Sequence, residues 1–240
     1  METLMKAVIL AGGKGKRLEP YSTVIPKPLM PVGDMPIMEI IVSKLVRCGF
    51  KEIYVACGHL AGLIKSYFND GTKWGAKIEY SVEDRELGTV GPLKLLRDKL
   101  DESFLVINGD TLTDLDFSKI YRFHLVQGSP LTIGIIKRSV NVDFGVVTFD
   151  GEKLKDYAEK PVIDYYVSMG VYVFNPYILR RIEANRKYDL PDLVDDLLKD
   201  KLEISVYRHD GFWLDLGRKE DFAVANEEFE KKRKEILQEE

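Results

Sequence analysis

The chain has 240 residues, 45% of them hydrophobic, and its 35 basic and 39 acidic side chains leave a formal net charge of −4. A chain of this length can bury a sizeable core, and a near-balanced charge with no long single-sign block argues against a nucleic-acid or anionic-membrane surface. No apolar run approaches the ~20 residues that span a bilayer, and residues 1–6 lack the basic-then-apolar layout of a signal peptide, so a cytoplasmic protein is expected.

In chain order, residues 6–10 form a short apolar run that ends at Ala-Gly-Gly, which reads as a buried strand entering a tight turn. Pro20, Pro26, Pro28, Pro31 and Gly33 exclude helix over residues 11–33, and a loop that long in a compact domain usually carries function. Asp34 then offers an N-cap and Pro36 an early helical position, followed by Ile37, Ile40, Ile41, Leu45 and Val46 at helical spacing. Next come strand 51–57, helix 59–69, strand 76–82, helix 90–100 and strand 103–108, a βαβα rhythm.

The last of these strands ends at Gly109-Asp110, at the carboxyl edge where open α/β sheets place ligands. After helix 117–127 the rhythm changes to strands 131–137, 145–149, 153–158 and 166–174 joined by short turns. Helices 176–184, 191–199 and 219 to the end follow, with a strand at 203–207. Residues 227–240 are almost all charged or helix-forming and read as a solvated, fraying helix. These elements predict one α/β domain over 1–240: a Rossmann-like open mixed sheet flanked by helices, with extra antiparallel strands in its second half.

Cys48 and Cys57 are the only cysteines and sit among apolar residues, so they read as buried, reduced thiols. His59, His124 and His209 are too few and too scattered for a zinc site, and the first two read as structural. A metal is therefore expected on carboxylates. Asp156, Asp164, Asp195 and Asp196 read as solvated.

The cluster Leu10-Ala-Gly-Gly-Lys-Gly-Lys-Arg-Leu18 places glycines after a buried strand, where backbone N–H groups can approach a phosphate and Lys16 and Arg17 add positive charge. Its spacing fits neither a Walker A loop nor a dinucleotide fingerprint. In the continuation, Pro26-Lys-Pro-Leu-Met-Pro-Val32, prolines stiffen the backbone that carries Lys27.

Together these two segments resemble the sugar-phosphate nucleotidyltransferases. Lys16 and Ser22 stand where the family commonly has threonine. Further along, Glu86-Leu-Gly-Thr89 is similar to the family's base-binding turn, Asn108-Gly-Asp110 to its metal-binding strand end and Phe144-Gly-Val146 to a sugar-contacting turn. Glu159-Lys-Pro161 resembles the segment holding the sugar and its phosphate, and Trp213-Leu-Asp-Leu-Gly217 the segment with a second metal-binding aspartate.

The resemblance implies the nucleotidyltransferase fold and an enzyme of nucleotide-sugar and polysaccharide biosynthesis. It would join a nucleoside triphosphate to a sugar 1-phosphate and release pyrophosphate. Arg17, Lys27 and Asp110 would be catalytic. Leu10, Ala11, Gly12, Gly13, Gly15, Arg17, Lys27, Glu86, Gly88 and Thr89 would bind the nucleotide. Asp110, Gly145, Glu159 and Lys160 would bind the sugar phosphate, and Asp110 with Asp215 would hold Mg²⁺. Because a sugar phosphate is already ionised at neutral pH, no general base is needed.

The turn at 86–92, Glu-Leu-Gly-Thr-Val-Gly-Pro, looks more like guanylyltransferases than like the glutamine-containing turn of thymidylyl and uridylyl enzymes. GTP with mannose or heptose 1-phosphate therefore ranks first. Thymidylyl, uridylyl or cytidylyl transfer to glucose 1-phosphate follows, and a non-catalytic subunit that senses nucleotide sugars is the alternative from another class. A nicotinamide dehydrogenase ranks last, since prolines follow the glycines where a helix should open. No β-helical extension with acyltransferase activity is expected within this length. The resemblance allows a homo-oligomer, with the aromatic-rich second half as a candidate interface.

Overall fold

The computed structural model describes residues 5–239. Along the chain, β1 (Met5–Ala11) leads into a loop of three 3-10 turns, Lys16–Leu18, Tyr21–Thr23 and Lys27–Leu29, and then into the two-residue strands β2 (Pro31–Val32) and β3 (Met35–Pro36). Then follow α1 (Ile37–Arg47), β4 (Phe50–Cys57), α2 (Ala61–Phe68), β5 (Lys77–Val82), β6 (Phe104–Asn108) and β7 (Thr111–Thr113). The second half holds α3 (Phe117–Gln127), β8 (Leu131–Asn141), β9 (Val146–Asp150), β10 (Lys153–Ala158) and β11 (Val162–Phe174). It closes with α4 (Leu190–Lys199), β12 (Ser205–His209), β13 (Trp213–Asp215) and α5 (Lys219–Leu237).

The main sheet is seven-stranded in the order β12-β8-β11-β6-β1-β4-β5. Only β11 opposes its neighbours; β1, β4, β5 and β6 form a parallel block, and β12 runs parallel to β8. The sheet is therefore mixed and open, as the element rhythm predicts. Alternation along β1 divides the core. Ala7, Ile9 and Ala11 point to the layer of α1, α2, α3 and α5, while Val8 points to the layer containing Leu93, Ile178 and α4.

Caps explain two helix starts. Asp116 accepts a hydrogen bond from Ser118 N (2.9 Å) at the head of α3, and Asp189 with Asp192 forms a capping box at the head of α4.

Four expectations change. Residues 90–100 contain a 3-10 helix, Gly91–Leu96, in place of an α-helix; its first turn closes by Leu93 N donating to the Val90 carbonyl, and the amides of Val90 and Gly91 donate to the carbonyl of Tyr188. Residues 176–184 likewise shorten to a 3-10 helix, Pro176–Arg180. The residue preceding α1 is Pro36; Asp34 pairs with Arg233 instead of capping. The C-terminal helix is not a solvated face throughout, since Phe229, Ile236 and Leu237 recur at helical spacing and are buried in the core beside α1.

The strand-rich second half appears as expected. Cys57 is buried as expected, whereas Cys48 is only half-buried because it lies at the end of α1 beside the Asp116 carboxylate; both are free thiols. His124 is buried with Nδ1 2.9 Å from Thr132 Oγ1, a structural histidine whose pKa burial lowers to about 4. Among the described residues, no helix is long and apolar enough to cross a membrane.

Candidate active site

In the parallel block, β1 lies between β6 and β4, so chain connections leave it in opposite directions and a crevice opens at its carboxyl end. A cavity of about 370 Å³ occupies that crevice. Its walls include Leu10, Ala11, Gly12, Gly13, Lys27, Glu86, Gly88, Thr89 and Asp110 of the sequence-derived set, joined by Glu83 and Asp189. Gly15, Arg17, Gly145, Glu159, Lys160 and Asp215 are not among its lining residues.

Two glycines are required by close approach. A Cβ on Gly12 would stand 2.8 Å from Glu83 Oε1, so the turn after β1 and the far wall can approach this closely only through bare backbone. Gly88 has φ +81°, and a Cβ there would meet Asp189 Oδ1 at 2.6 Å and the Tyr188 carbonyl at 2.7 Å. This docks the Gly88-Thr89 turn onto the head of α4: Thr89 N donates to Asp189 Oδ1 (2.9 Å) and Leu190 N donates to Thr89 Oγ1 (2.9 Å).

Glu83 follows directly on β5. Its Oε2 accepts from Leu87 N (3.1 Å), and burial pushes its carboxyl above the ordinary range. Glu86 is exposed and pairs with Lys14 (2.7 Å).

At the cavity's other end, Lys27 forms an ion pair with Asp110 Oδ2. Asp110 Oδ1 is buried and finds no hydrogen-bond donor among the described residues. Asp215 comes to the same place by a separate route. β7 and β13 pair as an antiparallel ribbon with Asp215 opposite Thr111, and Leu216 N donates to the Asp110 carbonyl (3.1 Å). Burial, and then the neighbouring Asp110 carboxylate, raise the Asp215 pKa, while Lys27 and Arg17 pull it down. A Cβ on Gly217 would touch both Asp215 Oδ2 (3.0 Å) and the Arg17 guanidinium (3.2 Å), which brings Arg17 beside this pair.

Two carboxylates, one with an unsatisfied buried oxygen, are thus set among two cations. That donor set fits a hard divalent ion that draws its remaining ligands from phosphate and water. Among the described residues, no cluster of three or more His, Cys, Asp or Glu side chains could enclose a metal completely.

Gly145, Glu159 and Lys160 form a second group at the base of the β9–β10 hairpin. A Cβ on Gly145 would overlap the Tyr157 ring, and Tyr157 Oη donates to Glu159 Oε2 (2.6 Å). Lys160, at φ +45°, is exposed.

The sequence alone did not single out Glu83 or Asp189. For Glu83 the signal was present, a carboxylate one residue beyond a strand end; Asp189 lies about a hundred residues from Thr89 in the chain, and only the fold pairs them.

Mixed sheet, switch-point crevice and paired carboxylates define an open α/β protein with a ligand-sized crevice at the carboxyl end of β1. The nucleotidyl transferase family model matches residues 6–232, and the chain belongs to that family. It is 35% identical over 238 residues to a UTP–glucose-1-phosphate uridylyltransferase of Synechocystis sp., covering 91% of this chain and 61% of the relative. It is 32% identical over 226 residues to the catalytic subunit beta of a Danio rerio mannose-1-phosphate guanylyltransferase, covering 91% and 62%. The chain therefore spans about three fifths of the length of these relatives.

Among solved structures, HddC from Yersinia pseudotuberculosis complexed with GMP-PN superposes with a TM-score of 0.74 at 25% identity, covering 94% of this chain and 100% of that one. A Bacillus anthracis structure described as a glucose-1-phosphate thymidylyltransferase in complex with sucrose superposes with a TM-score of 0.76 at 27% identity, covering 93% and 94%.

Proposed function

We propose that this chain transfers a nucleoside monophosphate from a nucleoside triphosphate to a sugar 1-phosphate, releasing pyrophosphate, with GTP and mannose or heptose 1-phosphate as the pair. The observation that carries the reaction class is the meeting of Asp110, Asp215, Lys27 and Arg17 at one end of a glycine-walled crevice. Two anionic substrates repel each other, and fixed cations at the point of contact offset that repulsion.

Lys27 steadies the triphosphate, and Arg17 meets the charge that develops between the α-phosphate and the departing pyrophosphate. The amides of residues 11–15 receive phosphate oxygens. Mg²⁺ held by Asp110 and Asp215 would supply charge neutralisation and alignment of the two phosphates when bound. An ionised sugar phosphate needs no base to attack the α-phosphorus, and no histidine lines the cavity. Glu159 and Lys160, on the neighbouring hairpin, receive the sugar hydroxyls and its phosphate.

Glu83 supports guanine. Guanine presents two adjacent donors, N1–H and the N2 amino group, and a carboxylate, which only accepts, can take both. Uracil and thymine present one N–H between two carbonyls, which a carboxylate repels. The favoured rival is uridylyl transfer to glucose 1-phosphate, because the Synechocystis relative is the more similar of the two in sequence.

Pyrophosphate release with Mg²⁺, for each triphosphate against mannose, heptose and glucose 1-phosphates, tests both. GTP should exceed UTP in kcat/KM by at least about tenfold, and Glu83→Gln should erase that margin. A UTP–glucose preference that survives Glu83→Gln selects the rival, and no release with any pair favours the sensing subunit.

A further inference from the structure

The two carboxylates at the crevice are held by a ribbon too short to hold itself. β7 and β13 share three residue pairs, Trp213 with Thr113, Leu214 with Leu112 and Asp215 with Thr111, and form a sheet of their own outside the main one. An isolated two-stranded ribbon is marginal in water. A slip of one residue would turn Asp215 to the opposite face, because side chains alternate along a strand. Something beyond the three pairs must set the register.

At the far end of the ribbon Asp114 and His209 meet. Asp114 Oδ1 accepts from His209 Nε2 (2.6 Å) and from Phe212 N (2.8 Å). Because an ionised carboxylate can only accept, Nε2 carries the proton. The same corner is closed by Asp114 N donating to the Phe212 carbonyl (3.2 Å) and by Thr113 Oγ1 donating to that carbonyl (2.7 Å).

The turn between β12 and β13 wraps this pair so closely that a Cβ on Gly211 would lie 2.5 Å from Asp114 Oδ1 and 2.7 Å from His209 Cε1. From beneath, the buried Lys44 of α1 donates to the Thr113 carbonyl (2.5 Å). Burial by itself would raise the Asp114 pKa, but the bonds from His209 and Phe212 outweigh it and hold the group below the ordinary carboxylate range, which marks these bonds as made to the charged form.

We propose that Asp114 and His209 form a latch that sets the register of the β7–β13 ribbon and so places Asp215 against Asp110. The proposal rests on the reading of these two aspartates as a cation site. Asp114 stands four residues beyond Asp110, on the order of 13 Å along a strand, so neither latch residue touches the reacting atoms. Both are positioning residues. His209 also joins the ribbon to the main sheet, because it is the last residue of β12, which pairs with β8.

The test uses Mn²⁺ as a spectroscopic probe of the full chain, read by electron paramagnetic resonance, together with hydrogen–deuterium exchange of the amides of residues 213–216. His209→Ala should weaken Mn²⁺ binding about tenfold, equivalent to about 1.4 kcal/mol of lost positioning, and should speed exchange in that segment. His209→Gln, which retains an N–H donor at a similar reach, should restore both to within about threefold. If His209→Ala fails to fold, His209→Phe keeps the ring volume without the donor.

Wild-type Mn²⁺ affinity in a folded His209→Ala protein, or a loss of stability with affinity and local exchange unchanged, overturns the latch. Asp215→Asn separates the two ideas. If it weakens Mn²⁺ binding and His209→Ala does not, the cation site stands and the latch fails. If Asp215→Asn leaves binding unchanged, the cation reading fails and the latch falls with it.

Discussion

β8 and β11 each pass through two environments. Their inner residues, Leu131, Thr132, Met169, Val171 and Val173, are completely buried, whereas Val140, Val162 and Tyr165 farther out are exposed, and the β9–β10 hairpin beyond exposes Phe144 at 78% and Phe149 at 70%. The inner half braces the candidate active site: the carbonyl of Met169 accepts from Trp213 Nε1 (2.7 Å), next to Asp215. The outer half and its hairpin carry Gly145, Glu159 and Lys160, held by ladder bonds and surface pairs such as Lys137 with Asp164 (2.7 Å). The crevice end of the candidate site is therefore braced by the core. The second group of candidate residues rides on an arm that is formed but largely exposed.

The largest effect should come from the core-braced side. Arg17→Ala should lower kcat roughly 10²–10³-fold with a smaller change in KM, if its contact forms mainly in the transition state. Steady-state pyrophosphate release checks this, and an unchanged kcat breaks the assignment.

His124 of α3, bonded to Thr132 at the buried root of β8, is next. Its folded pKa of about 4 lies below the ordinary 6.5, so between these values the unfolded chain binds a proton that the folded chain does not. Stability should therefore fall as pH drops from 6.5 to 4 and level off below, by up to about 3 kcal/mol. Urea midpoints at pH 7 and 4.5 should show the slope in the parent and lose most of it in His124→Gln.

Gly88→Ala forces a Cβ into a left-handed turn pressed on Asp189, at a cost of about 2 kcal/mol. It should raise the triphosphate KM roughly 10- to 30-fold with the sugar-phosphate KM little changed.

Lys160→Met should do the reverse, raising the sugar-phosphate KM about tenfold through loss of a charged hydrogen bond and leaving the triphosphate KM within about twofold. A change in both constants would mean the arm and the crevice act as one unit. The smallest effect belongs to the arm's tip, where Phe149→Ser should shift the unfolding free energy by no more than about 0.5 kcal/mol.

Much of this molecule was legible in the chain itself. Buried parallel strands read as unbroken apolar runs, so β1, β4 and β6 were visible, as were the glycine turn after β1 and Asp110 after β6. The span of α3, Phe117–Gln127, was readable to the residue, and in the fold Asp116 and Gly128 bound it. Recurrent motifs also marked Lys27, Glu159, Lys160 and Asp215 before any of them had a place in space.

Tertiary structure decided what depends on partners distant in sequence. The start of the 3-10 helix Gly91–Leu96 docks on Tyr188, whose carbonyl accepts from the amides of Val90 and Gly91, and the C-terminal helix became a core element because Phe229, Ile236 and Leu237 found α1. The three-residue strands β7 and β13 carry too little pattern to be seen, yet their pairing brings Asp215 to Asp110 across about a hundred residues. The physical reason is range. Periodicity, caps and turns act within a few residues and are written locally, whereas a shared carboxylate site exists only once the core has set the backbone that presents both halves.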